Sequence, residues 1–91
     1  MITITVVGGV GQESRNFGNA ACESVCLVSP DDTPMYDFKI IDSNGFFVVG
    51  ATGINAQKTK INERFRMTGV CTLYITNAVD DGQYKVETFS R

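Results

Sequence analysis

Apolar and polar residues alternate with a period of two through most of this chain, and that pattern predicts β-strands. Ile2, Ile4 and Val6 share one face against Thr3 and Thr5, which predicts a first strand over Ile2 to Val7. A polar, glycine-rich stretch from Gly8 to Asn19 follows and reads as a long loop, flexible or ordered by a partner. Ala20 to Val28 is assigned as the second strand rather than a short helix. Its last residues run straight into Ser29-Pro30-Asp31-Asp32-Thr33-Pro34, whose prolines cannot continue a ladder. Met35 to Asp42 alternates most cleanly, with Tyr36, Phe38 and Ile40 on one face and Asp37 and Lys39 on the other. Ser43-Asn44-Gly45 then predicts a hairpin closed by a two-residue type I′ turn, returning along Phe46 to Ala51. A polar strand is expected from Lys58 to Phe65, and Met67-Thr68-Gly69 reads as a turn into Val70 to Thr76. Gly82 to Phe89 completes the set, with Leu73, Ile75, Tyr84 and Val86 as core candidates.

No window carries a helical stripe, so the expected class is all-β, a two-sheet antiparallel sandwich of about seven strands. Residues 1–91 make one domain, enough to bury roughly 60–65% of the surface an unfolded chain exposes. The longest apolar run is far short of the roughly 18 residues of a membrane span, so no membrane association is expected. Met1-Ile2-Thr3-Ile4-Thr5 lacks a basic region and reads as strand rather than leader.

Composition narrows the chemistry. There is no histidine, which removes the commonest general base and metal ligand and with them Ser-His-Asp and Cys-His mechanisms. A net charge of −2 disfavours general nucleic-acid binding, whose affinity comes largely from Lys and Arg at phosphates. Cys22, Cys26 and Cys71 are an odd number, and Cys22 and Cys26 on one strand lie about 13 Å apart, too far for a disulfide. Three reduced thiols are expected, as in a reducing cytoplasm. Their spacing does not suit zinc.

Gly8-Gly9-Val10-Gly11 follows a strand but lacks the Lys-Ser/Thr of a phosphate loop. Asp42-Ser43-Asn44-Gly45 and Asp80-Asp81-Gly82 read as turn chemistry rather than calcium loops. No catalytic residue, cofactor or metal site is therefore assigned. The candidate contacts are Lys58, Lys60, Arg64 and Arg66, either a solvated edge strand or a surface for an acidic partner, and Tyr74, which faces away from Leu73 and Ile75.

Leu73-x-Ile75-x-Asn77-Ala78 followed by Asp80-x-Gly82-x-Tyr84-x-Val86 resembles the tyrosine corner of immunoglobulin-like sandwiches, with Asp80, Gly82 and Tyr84 as its structural residues. Val86 stands where antibody-type domains carry cysteine, and the chain has no Trp, so an antibody-type receptor domain is set aside. With the hairpin Tyr36 to Gly45, the chain resembles the small β-sandwich structural proteins of tailed bacteriophages, which decorate or cement capsids or sit on neck and tail parts. That resemblance implies a non-enzymatic subunit in many copies, assembled in the host cytoplasm into a virion and docked on viral capsid, neck or tail proteins through loops and strand edges. Ile2 to Val7 and Gly8 to Asn19 are its expected docking elements. A carbohydrate- or cell-surface-binding module, with Tyr74 on the sugar, and a small adaptor or inhibitor of a host enzyme are the alternatives.

Overall fold

The computed structural model describes Met1–Arg91 throughout. The chain is all-β and antiparallel, as the alternation predicts, with no helix. Its strands are β1 (Ile2–Val6), β2 (Gly11–Val28), β3 (Tyr36–Ile41), β4 (Phe47–Ile54), β5 (Lys58–Ile61), β6 (Phe65–Thr76) and β7 (Gly82–Ser90). Hydrogen bonding links them in the order β1-β7-β2-β6-β3-β4, with β5 alongside β2.

One bent ribbon makes the two layers. The first half of β2, Gly11 to Asn16, pairs with Ile75 to Val70 of β6; after a register shift, Asn19 to Cys22 pairs with Thr68 to Phe65. The last part of β2 then lies between β7 and β5, with Cys26 opposite both Glu87 and Lys60. Each strand of the ribbon has a glycine in the left-handed region at the bend, Gly18 at φ 64° and Gly69 at φ 69°, a conformation a branched side chain resists. One layer is thus β1, β7 and the end of β2 with β5, and the other is the start of β2 with β6, β3 and β4. The sandwich is a single sheet folded on itself.

Between the layers sits one cluster of 17 buried residues. The predicted inward faces supply most of it: Ile4, Val6, Tyr36, Phe38, Ile40, Leu73, Ile75, Tyr84 and Val86 are all buried, while Ile2 is half-buried. Cys22 and Cys71 are buried and Cys26 half-buried, all three unbridged.

Three local expectations are overturned. The long loop over Gly8 to Asn19 is a tight turn between Val7 and Val10 followed directly by strand. Its polar residues are held by the ladder to β6 rather than by burial, which hydrophobic periodicity does not register. Met67-Thr68-Gly69 is part of β6, since Gly69 bends the strand instead of reversing it. The hairpin is not type I′: of Asn44 and Gly45, Gly45 alone has a positive φ, and Asp42 N–H donates to the Phe46 carbonyl to close a three-residue loop. The Asp42 carboxylate imposes this turn by accepting the N–H groups of Asn44 and Phe46, each at 2.9 Å. Smaller differences lie at the ends: β4 runs on to Ile54, and β5 stops at Ile61.

Candidate functional site

The corner forms as the resemblance implies. Tyr84 hydroxyl donates to the Asp80 carbonyl at 2.7 Å, and Gly82 at φ 137° brings Pro30 against its backbone, where a side chain would meet the proline ring. The Tyr84 ring packs edge-on against Tyr36, with centroids 4.9 Å apart and planes at 71°. Burial raises the Tyr84 pKa, helped by the carboxylates of Asp80, Asp31 and Asp81.

Tyr36 is the opposite case. Its hydroxyl is buried without a hydrogen-bond partner, and burial, then Tyr84, pushes its pKa up to about 12. An orphaned buried hydroxyl is a cost to folding, so Tyr36→Phe is expected to raise stability by about 1 kcal/mol, whereas Tyr84→Phe, which loses a made bond, lowers it by about 1 kcal/mol. Denaturant midpoints of the two variants check the signs. The contribution of a neutral Tyr36 is complete below pH 10 and lost as pH rises through about 12. Tyr36→Phe therefore flattens the alkaline fall in stability.

Around this corner three loops form one end of the molecule. Ala78 N–H donates to the Gly9 carbonyl and Val79 N–H to the Met35 carbonyl, both at 3.0 Å, and Gly9 N–H reaches Asp81 Oδ1 at 3.3 Å. Val7, Val10, Met35 and Val79 are exposed on these segments, which we call the cap. Beside them Asp31, Asp32, Asp80 and Asp81 line an open dent of ≈ 600 Å³ with Pro30 and Gln57. The Thr33 N–H, then a hydrogen bond with Asp80, holds the Asp31 carboxyl below its ordinary range; that same bond raises Asp80. These carboxylates are not arranged as a metal-binding group.

A second feature lies on the outer face of β3, β4 and β6. Asp37, Lys39, Phe47, Thr52, Thr76 and Asn77 border a trough of ≈ 430 Å³ floored by Gly50. Asp37 accepts Gly53 N–H and Asn77 Nδ2, each at 2.8 Å, which keeps its carboxyl below the usual range, Asn77 contributing most. Phe47 is 63% exposed at its rim. Tyr74, expected to stand free, is half-buried, with the Lys39 ammonium 5.6 Å from its ring centroid.

The basic residues do not form one strand. Lys58 and Lys60 are exposed on β5, an edge strand paired only to β2. Arg64 lies in the connection to β6 and shares a shallow dent with Lys60, Glu23, Ser24 and Asn62. Arg66 is on β6 and donates to Asn19 Oδ1 at 2.6 Å.

β1 and β4 end the pairing order, and the β4 edge was not foreseen. β4 is the last strand in the pairing order, and its eight residues, Phe-Val-Val-Gly-Ala-Thr-Gly-Ile, include no charge and no proline. Its place at the edge follows from pairings between residues distant in sequence. The missing charges were readable all along. Neither a family model nor a curated protein nor a solved structure gives a significant match to the chain.

Proposed function

We propose that this chain is a non-catalytic virion structural protein, a capsid decoration or cement-type subunit that docks on a repetitive viral protein lattice, with the β4 edge as its main contact. The observation that carries the reading is the contrast between its edges. Proteins blunt an exposed edge with charge, proline or a covering element, because unpaired N–H and C=O groups recruit another strand. β5 carries Lys58 and Lys60, whereas β1 and β4, the two ends of the pairing order, carry neither charge nor proline; β4 is the longer, eight residues to five, and has Phe46 and Phe47 exposed at its start. Such an edge suits a partner that supplies a strand, with backbone bonds giving affinity and exposed aromatics giving specificity. The corner and the hairpin, on which the resemblance to phage sandwich proteins rests, support the same reading. Many copies on one lattice make modest affinity at each contact sufficient.

The test is quantitative protein analysis of gradient-purified virions carrying the wild-type chain or Phe47→Lys/Thr52→Lys. The expected result is a fixed, many-copy ratio to the major capsid protein for the wild type and an about tenfold lower ratio for the variant, equal to about 1.4 kcal/mol. Absence of the chain from virions overturns the reading.

The trough favours a second reading, a carbohydrate-binding module. An exposed Phe47 beside the Asp37 carboxylate and Asn77 amide offers both a stacking face and hydrogen bonds to a sugar. Sugar-dependent binding on a glycan array, lost in Phe47→Ala, would select it over the first.

A further inference from the structure

The two ends of the sandwich, separated along its 33 Å axis, differ in charge. The cap carries Val7, Val10, Met35 and Val79 beside the four carboxylates of Asp31, Asp32, Asp80 and Asp81. At the far end, which we call the foot, strand register gathers arginines. Arg66 pairs opposite Ala21, Arg91 N–H donates to the Ala21 carbonyl at 3.1 Å, and Arg64 precedes Phe65, the partner of Cys22. Phe89, 40% exposed, lies next to them opposite Ser24.

β7 sets the separation. It begins at Gly82 against the cap and ends at Ser90 opposite Cys22. At a rise of about 3.3 Å per residue, its eight steps cover roughly 26 Å.

Neither group is neutralised within the molecule. The one ion pair in the whole fold is Arg15 with Glu13 at 2.8 Å, so no cap carboxylate and no foot arginine has an opposite charge within 4.0 Å. Glu23 and Glu63 offset two of the foot's positive charges, and Lys60, in the dent with Arg64, adds one. Lys58 and Lys85, both opposite Val28, are the cations nearest the four cap aspartates, so the foot keeps an excess of positive charge and the cap an excess of negative.

We propose that copies of this chain stack head to tail, the apolar, acidic cap of one seated on the arginine-rich foot of the next. Charge complementarity selects the second copy: each end supplies what the other lacks, and both carry exposed apolar side chains to desolvate the contact. A cap-to-foot contact is heterologous, so it propagates instead of closing as a two-fold dimer does. The end face is about 22 × 20 Å, roughly 440 Å² on each partner, below the roughly 800 Å² of a standard stable interface. Stacking is therefore weak in dilute solution and grows with concentration. It uses the cap and foot, not the β4 edge, and stands or falls separately from the lattice contact.

Sedimentation equilibrium of the purified chain from micromolar to millimolar concentration tests the stacking, with two variants at exposed positions. Val79→Lys/Asp32→Lys places cations on the cap, and Arg64→Gln/Arg91→Gln neutralises the foot. The wild type is expected to rise in average mass past the dimer without a plateau, and to return towards monomer at high salt. Every stacking contact needs one good cap and one good foot, so each variant alone is monomeric, with a dissociation constant raised at least tenfold. Their equimolar mixture forms a 1:1 pair and stops. A wild type that is monomeric throughout, a plateau at the dimer, or a mixture that stays monomeric overturns the proposal.

Discussion

Phe38→Ala is expected to destabilise the fold by about 3–5 kcal/mol, the largest effect of any single truncation proposed for this chain. Phe38 is 2% exposed, in an inner strand of its layer, opposite Ile75 of β6 and Ala51 of β4. Its removal forfeits the transfer energy of a buried ring and leaves a cavity, because rigid strands on both sides cannot close in. A domain of this size has a total stability of roughly 5–15 kcal/mol, so the variant keeps a fraction of it. Each kcal/mol shifts the melting temperature of such a domain by about 4–8 °C, which places the loss well within calorimetric reach. Phe46→Ala is the control: Phe46 is 69% exposed, and its loss changes stability by less than about 0.5 kcal/mol.

Gly11→Ala has the second-largest expected effect, for a different reason. A methyl group there meets the Thr5 carbonyl oxygen and approaches Ile4 Cγ2 to 3.0 Å. Thr5 is backbone of β1, so the relief is movement of a whole strand whose Ile4 and Val6 are buried in the core. Overpacking of this kind costs about 1–3 kcal/mol. Chemical denaturation of Gly11→Ala beside Gly18→Asn separates crowding from conformational strain. Gly18 has a left-handed backbone but nothing within 4 Å of an added side chain, and Asn accepts that conformation. Gly18→Asn is expected near neutral. Equal losses in the two variants would contradict the close approach of β1 to β2.

What could be read in the sequence follows from where burial decides structure. Tyr36, Phe38 and Ile40 alternate with Asp37 and Lys39 because one face meets the core, and the pattern therefore states both the strand and its orientation. The corner was readable for a related reason, since Asp80, Gly82 and Tyr84 encode it locally and the hydroxyl bond spans four residues. The first half of β2 was hidden because Gln12, Ser14, Arg15 and Asn16 are exposed and Glu13 half-buried, with no buried face to leave a pattern. Its order comes from backbone pairing with residues more than fifty positions away. Gly69 misled similarly, since a glycine with positive φ serves a turn and a bent strand alike.

The surfaces proposed as contacts were less legible for the same physical reason. The unprotected edge, the cap and the foot are each assembled from long-range pairings: Val79 beside Met35, Gly9 beside Ala78, Arg91 beside Ala21. No local motif announces them. Tyr74 looked available because its neighbours Leu73 and Ile75 point inward, but register sets Lys39 opposite it, over the ring.

The whole architecture rests on β2 and β6 forming one ribbon that bends from layer to layer. Native-state hydrogen exchange, read residue by residue, tests this most directly. Alternate amides between Gly11 and Asn16 are expected to exchange as slowly as those of Cys71 and Leu73 opposite them, because they open with the ladder they share. Exchange of all of them at the rate of an unstructured loop would contradict it.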